Sequence, residues 1–370
     1  MTDEVRHAPI LLPGIPSRNP LRFSFHTVCL IFVALTGLSR AGLLLVLMAD
    51  PVADRALRKR THPVLLPPVA IRLRLLGGVL ILAAILAIGW IEVARATQFL
   101  SGDHMIAITA HRAGSARAPE NTIAALRTAI ADGADDVEID VQETAEGHVV
   151  MLHDTDLRRV AGLARSVWDM RLDEIQALDV GSWFSPAFRE AQIPTLAEFA
   201  AVARGRVGLN VELKNNGRGE DLAARVVAVL RDSKTSDQAV ISSLDLGLLR
   251  EVRQIAPALK VGLIVATGIG NLHRLDVNFF ALSLRLATPA VIREIHATGR
   301  EVHVWTLDDE ASIARAMLAG ADNIITSDTL LGLRMRRWFL ELSEAQRTLL
   351  RIELSVLGFA RLRGSDPSEL

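Results

Sequence analysis

Cysteine is nearly absent: the 370-residue chain carries one, Cys29, inside an apolar stretch. A single thiol excludes a disulfide within the chain and a thiolate metal cluster. An excess of charge of either sign is missing too. Lys and Arg number 41 against 42 Asp and Glu, a formal net charge of −1, so no overall basic field points to nucleic acid as a partner. Apolar side chains, by contrast, are plentiful: 50% of residues are hydrophobic and the mean hydropathy is +0.30. That excess prompts a search for membrane segments.

Residues 75–91 (LLGGVLILAAILAIGWI) carry no charge, with Arg72 and Arg74 before them and Glu92 after. A spanning helix needs about 20 apolar residues, with a lower limit of ~17, and Trp90 suits an interfacial anchor. The stretch therefore predicts a transmembrane helix. Residues 23–48 predict a second span, or an interfacial segment, because Arg40 lies within them; a central Arg costs roughly 2.5–3.5 kcal/mol on insertion scales. The loop 49–74 holds Arg55, Arg58, Lys59, Arg60, Arg72 and Arg74, a basic cluster that marks the cytoplasmic side. The expected order is a tail at 1–22, a span at 23–48, a basic loop at 49–74, a span at 75–91 and a linker at 92–105. Everything beyond would lie outside the cytoplasm, on an integral protein of the cell (inner) membrane with the lipid bilayer as a partner.

From residue 106 short apolar runs alternate with helical patterns. Strands are expected at 106–111, 137–141, 149–152, 207–213, 239–243, 260–265, 279–284, 301–306 and 323–326. Helices are expected at 121–132, 196–204, 220–233, 246–255, 289–298 and 310–319. Repeated β–α alternation argues for a parallel α/β domain, and its length over 106–333 fits a (β/α)8 TIM barrel. Nine strands are one too many. The connection between 137–141 and 149–152 is too short for a crossover helix and has Glu146-Gly147 at its tip. It reads as an antiparallel hairpin that would bring His153 roughly opposite Asp140.

Glu138 and Asp140 are two apart on one strand, so they share a face. Glu212, on another strand, supplies a third carboxylate, and such oxygen ligands suit Mg²⁺, Ca²⁺ or Mn²⁺. Lys214, two residues on, would reach a phosphate. His111 and Arg112 end the first strand, and strand ends line the mouth of a barrel. Arg offers a forked donor to phosphate oxygens, and His is the usual acid/base group near neutral pH. His153 also ends a strand. A cation, two histidines, an Arg and a Lys at one mouth fit phosphodiester cleavage.

His111-Arg112-Ala113-Gly114, Pro119-Glu120-Asn121-Thr122, Gly133-Ala134-Asp135, Val137-Glu138-Ile139-Asp140-Val141 and Leu152-His153-Asp154 together resemble the signature of the glycerophosphodiester phosphodiesterase family. Ile193-Pro194-Thr195-Leu196, Val211-Glu212-Leu213-Lys214, Trp305-Thr306 and Ile325-Thr326-Ser327-Asp328 follow in the same order. The resemblance implies a TIM barrel, one divalent cation and metal-dependent hydrolysis of glycerophosphodiesters to an alcohol and sn-glycerol 3-phosphate, within glycerol and lipid metabolism. It also implies a cyclic phosphate made by the glycerol 2-hydroxyl, so that no protein nucleophile is needed. Carried over, Glu138, Asp140 and Glu212 would be metal ligands. His111 and His153 would be the acid/base pair, and Arg112 and Lys214 would hold the phosphate. Glu120 would orient Arg112 or bind metal. Trp305 would form an apolar wall by the substrate, or simply pack the barrel, and Phe184 would share that role. The family usually has Gly where this chain has Ala113, and Asp-Gly where it has Glu146-Gly147. The stretch between His153 and Pro194 is too short for a capping domain.

Residues 334–370 read as a basic, amphipathic tail. Two alternatives stand beside the main reading: a lysophospholipase D-type activity on lipid phosphodiesters, and a catalytically silent membrane scaffold. The oligomeric state is not legible.

Overall fold

Nine strands form in the computed structural model, which describes residues 105–216, 221–268, 270 and 274–351. They are β1 Ala107–Ala110, β2 Asp136–Glu143, β3 Val149–Met151, β4 Gly208–Leu213, β5 Ala239–Ser243, β6 Lys260–Val265, β7 Phe279–Ser283, β8 Glu301–Trp305 and β9 Asn323–Thr326. The order β1-β9-β8-β7-β6-β5-β4-β2 is closed by a β1–β2 pairing. Every one of those pairings is parallel. Eight parallel strands thus close a barrel, as a (β/α)8 fold requires.

The ninth strand is the expected hairpin. β3 runs antiparallel to the end of β2, pairing Val141 with Met151 and Glu143 with Val149. Gly147, at φ 82°, turns the tip and donates its N–H to the Thr144 carbonyl. The register differs by one residue from expectation. Leu152, not His153, faces Asp140, donating its N–H to the Asp140 carbonyl at 3.1 Å. Alternation tells which residues share a face, but the turn sets which residues oppose. On its far side β3 meets the Ile193-Pro194-Thr195 segment, through a Val150–Thr195 bridge and a bond from Met151 N–H to the Pro194 carbonyl.

Among the described residues, seven helices of eight residues or more follow the strands: α1 Ile123–Asp132, α2 Leu196–Ala203, α3 Leu222–Asp232, α4 Leu246–Ile255, α5 Pro289–His296, α6 Glu310–Ala319 and α7 Thr329–Glu341. Most start on a side chain that satisfies an otherwise free N–H. Thr122, Asp245, Thr288, Asp309 and Asp328 each accept from the first turn, and Thr195 with Glu198 forms a capping box before α2. Their apolar faces cover the barrel. Leu196, Phe199 and Ala200 of α2 are fully buried, as are Val137, Ile139 and Val141 on the helix-facing side of β2. Each large apolar side chain so buried contributes roughly 1.5–3 kcal/mol.

The expectation of an integral membrane protein with its barrel on the extracytoplasmic side is corrected. Among the described residues no helix is long and apolar enough to cross a membrane. The longest of these seven, α7, has 13 residues, short of the about 17–25 a span needs, and it buries Leu331, Met335 and Phe339 rather than presenting an apolar surface all round. The segments 23–48 and 75–91 lie outside the described residues, as does the tail beyond 351. α7 also runs through residue 333, so it carries the barrel's last helix into what the sequence reads as the tail; residues 344–351 are helical again.

After β1 the chain makes an abrupt left-handed turn. Arg112, Ala113 and Gly114 have φ of 49°, 64° and 100°. Ala113 is fully buried, and an L-residue pays about 1–2 kcal/mol for this conformation. Replacing Ala113 by Gly relieves that strain but loses a buried methyl and adds unfolded-chain entropy, each roughly 0.5–1 kcal/mol. The expected result is a stability within about 1 kcal/mol of the parent. Ala113→Val, which adds bulk and β-branching at the same φ, is expected to cost about 3 kcal/mol or more. Urea melts of the two variants check this; comparable losses from both would contradict it.

Candidate active site

The carboxyl end of the barrel gathers most of the charged residues named above. On β2, Glu138 and Asp140 point away from the helix-packed valines, and β4 runs alongside with Asp140 opposite Glu212. Carboxylate oxygens of Glu138, Asp140 and Glu212 lie within 4.8 Å of one another, and Glu138 and Asp140 are buried. Each has a distinct set of partners. Glu138 Oε2 accepts the Arg112 backbone N–H at 2.8 Å, while its Oε1 is buried without a hydrogen-bond partner among the described residues. Asp140 is held by Asn121, whose Nδ2 donates to Asp140 Oδ2 at 2.8 Å and whose Oδ1 accepts the Asp140 N–H at 3.2 Å. The Lys214 ammonium lies 2.8 Å from Asp140 and 2.6 Å from Glu212.

Three crowded carboxylates do not titrate alike. Burial, then the Asp140 and Glu212 charges, pushes Glu138 well above the usual carboxylate range. Burial and the Asp140 charge lift Glu212 to about 7 against the pull of Lys214. Burial would raise Asp140 as well, but Lys214, His153 and Arg112 outweigh it and hold the group at about 2. An oxygen with no hydrogen-bond partner facing two further carboxylates is a costly arrangement unless a cation shares it. The all-oxygen donor set fits a hard divalent ion.

His111 Nε2 approaches Glu138 Oε2 at 3.9 Å, and its Nδ1 lies 3.4 Å from Ser327 Oγ. The Ser327 hydroxyl donates in turn to Asp308 at 3.0 Å. Burial foremost, then the Arg112 charge, lowers His111 to about 4, so the ring is neutral at neutral pH. Arg112 donates to Glu120 Oε1 at 3.0 Å and lies 3.9 Å from Asp140; its Nε is buried without an acceptor among the described residues. His153, one residue beyond the Leu152–Asp140 contact, has its Nδ1 2.8 Å from Asp154 Oδ1.

The remaining sequence candidates stand apart from the carboxylates. Glu120 is not in the three-carboxylate group; it binds Arg112 and Arg159. Trp305 ends β8, its indole donating to the Ala281 carbonyl at 2.9 Å. Phe184 packs edge-on to Trp183 and Phe188. The sequence candidates do not include Asn121, the brace of Asp140, although it lies within the Pro119-Glu120-Asn121-Thr122 motif. Nor do they include Gln142, whose Nε2 donates to the Leu152 and Asp154 carbonyls on either side of His153. Gln142 shares a face with Glu138 and Asp140, and that alternation was the available signal.

The model of the Glycerophosphoryl diester phosphodiesterase family matches residues 111–331. A glycerophosphodiester phosphodiesterase of Caldanaerobacter subterraneus subsp. tengcongensis is 33% identical over 227 residues, 60% of this chain and 93% of that protein. Among solved structures, an Oleispira antarctica phosphodiesterase in complex with the product sn-glycerol-3-phosphate matches with a TM-score of 0.60 and 28% identity, covering 65% of this chain and 98% of that one. A glycerophosphodiester phosphodiesterase of Agrobacterium tumefaciens str. C58 matches with a TM-score of 0.56 and 28% identity, covering 62% and 100%. Members of the family generally bind a divalent metal, which agrees with the acidic cluster found here. The match spans well over half of the sequence, and the chain belongs to the glycerophosphoryl diester phosphodiesterase family.

Proposed function

We propose that the chain hydrolyses glycerophosphodiesters to an alcohol and sn-glycerol 3-phosphate, with a divalent cation on Glu138, Asp140 and Glu212 and with His111 and His153 moving the protons. The observation that carries this reading is the buried three-carboxylate cluster, in which Glu138 Oε1 has no hydrogen-bond partner among the described residues, next to a histidine held neutral. Mg²⁺ or Ca²⁺ is the expected ion, with Mn²⁺ a third choice; when bound it polarises a phosphoryl oxygen. Arg112 and Lys214 balance the phosphate charge.

His111, neutral, takes the proton of the glycerol 2-hydroxyl as that oxygen attacks phosphorus. His153 gives a proton to the leaving alcohol oxygen as its P–O bond breaks. The cyclic phosphate so formed is opened by water. His153 takes the water proton and His111 returns its own to the 2-oxygen, leaving sn-glycerol 3-phosphate and both histidines as they began.

The test is hydrolysis of glycerophosphocholine, glycerophosphoglycerol and a lysophospholipid by the purified full chain, with Mg²⁺, Ca²⁺ or EDTA. Release of glycerol 3-phosphate from a glycerophosphodiester, lost in EDTA and restored by the cation, is expected. A preference for the lysophospholipid would shift the substrate to lipid; no cation-dependent hydrolysis of any of them would overturn the reading.

A further inference from the structure

Arg112 and His153 sit on different elements, after β1 and after β3, with β2 between them in the sheet. Their side chains are nevertheless joined by an unbroken run of short polar contacts. Arg112 donates to Glu120 Oε1 at 3.0 Å. Arg159 grips the same carboxylate with both terminal nitrogens, Nη1 to Oε2 and Nη2 to Oε1, each at 2.7 Å. The Arg159 Nε donates to Asp154 Oδ2 at 2.7 Å, and Asp154 Oδ1 lies 2.8 Å from His153 Nδ1. The guanidinium also lies over the Trp183 ring, 5.7 Å from its centroid.

We propose that Arg159 is a positioning residue: by clamping Glu120 and Asp154 together it sets the orientation of the phosphate-binding Arg112 and of the His153 ring as one unit. The inference rests on the hydrolysis proposed above. Its physical basis is the fork. One planar guanidinium with fixed donor directions serves two carboxylates, which an ammonium cannot reproduce. Glu120 is then the shared acceptor of two arginines, and without Arg159 its carboxylate is held only by the single bond from Arg112, free to turn and carry Arg112 with it. Asp154, fixed by Arg159, accepts from His153 Nδ1. That selects the tautomer with Nδ1 protonated and leaves Nε2 to exchange protons with substrate. Burial alone would raise Glu120 and Asp154, but the bonds from Arg159, with Arg112 and His153, keep both below the ordinary carboxylate range.

Exposure separates this role from a structural one. The Arg159 side chain is 40% exposed, so solvent screens its charge, and Glu120, itself 8% exposed, keeps the bond from Arg112 when Arg159 is lost. A change there is expected to alter catalysis far more than melting. Arg158, 71% exposed and paired with Asp156 at 3.6 Å, is the adjacent control.

The experiment measures kcat, KM and melting temperature of the full chain with glycerophosphocholine and saturating cation. The variants are Arg159→Ala, Arg159→Lys, Asp154→Asn, Arg159→Ala with Asp154→Asn, and Arg158→Ala. Arg159→Ala is expected to lower kcat by about 10²-fold, the scale of a misplaced catalytic group, and to raise KM by roughly tenfold as Arg112 loosens. Its melting temperature should stay within a few degrees of Arg158→Ala. Asp154→Asn should lower kcat with KM little changed, and the double variant should be no worse than about threefold below the poorer single one, because both act through His153. Arg159→Lys, which keeps charge but not the fork, should recover less than about a tenth of the lost kcat. The proposal is overturned if an active parent shows Arg159→Ala kinetics equal to Arg158→Ala, if Arg159→Lys is fully active, or if the two kcat losses simply multiply. An inactive parent would instead sink the hydrolysis reading and this inference with it.

Discussion

Glu138→Gln is expected to lower kcat by about 10³-fold or more at saturating cation while making the metal-free protein melt at a higher temperature. Both effects have one cause. Glu138 shares a buried site with Asp140 and Glu212, and its charge is opposed first by burial and then by those two neighbours. The amide keeps an oxygen for the Arg112 N–H and offers N–H groups to the facing carboxylates, so repulsion becomes attraction. A gain of about 1–3 kcal/mol is reasonable for relieving a buried unpaired charge, which is several degrees for a domain this size. The parent should gain stability on adding Mg²⁺ or Ca²⁺, about 2.7 kcal/mol at a hundred times Kd, and the variant should gain little. Melting curves in EDTA and in cation, alongside kcat, read both effects. A variant retaining kcat within tenfold would remove Glu138 from the ligand set.

The same cluster gives the metal-free protein a pH dependence of definite sign. Glu212 titrates at about 7 against an ordinary 4.5. Its contribution to stability is therefore fully present below 4.5 and is lost as pH rises through about 7. Asp140, held at about 2 against an ordinary 3.8, works the other way. Its contribution is present above 3.8 and is lost as pH falls through about 2. In EDTA the protein should thus weaken as pH falls from 3.8 towards about 2 and, separately, as pH rises from 4.5 through about 7. Cation binding takes the deprotonated set and releases protons, so affinity should rise over the same interval.

His111→Ala and His153→Ala are each expected to lower kcat by about 10²–10⁴-fold, the second largest effect. Each histidine serves in both halves of the reaction, so removing both should cost far less than the product of the single losses. His111 is held near 4 by burial and Arg112, so the basic form is present throughout the neutral range, and its loss should lower the rate across that range. Steady-state kinetics over pH with the single and double variants test this. Multiplicative losses would mean that the two act independently.

What was legible followed from local rules. Strands 239–243, 260–265 and 323–326 have the same bounds in sequence pattern and structure, because each is a short, largely apolar run between helical patterns. The hairpin was legible because too few residues lie between β2 and β3 for a crossover. Glu138 and Asp140 could be put on one face by alternation, and Glu212 could be added from the next barrel strand. The hidden parts depend on register and on distance along the chain. The hairpin's one-residue offset came from the turn. The support of His111 by Ser327 spans 216 positions, and the Arg159–Glu120 clamp spans 39; neither has a spacing rule. The left-handed Arg112-Ala113 turn was hidden because an alanine gives no sign of positive φ.

A closed barrel leaves no strand open to pair with another molecule, but the hairpin that carries His153 reopens that hazard at β3. The Ile193-Pro194-Thr195 segment covers this side: Pro194 accepts from Met151, Thr195 bridges Val150, and the chain then turns into α2. Proline has no N–H to extend a ladder, so strand pairing stops there. A stretch that reads as part of a catalytic signature thus also protects the molecule from edge-to-edge association.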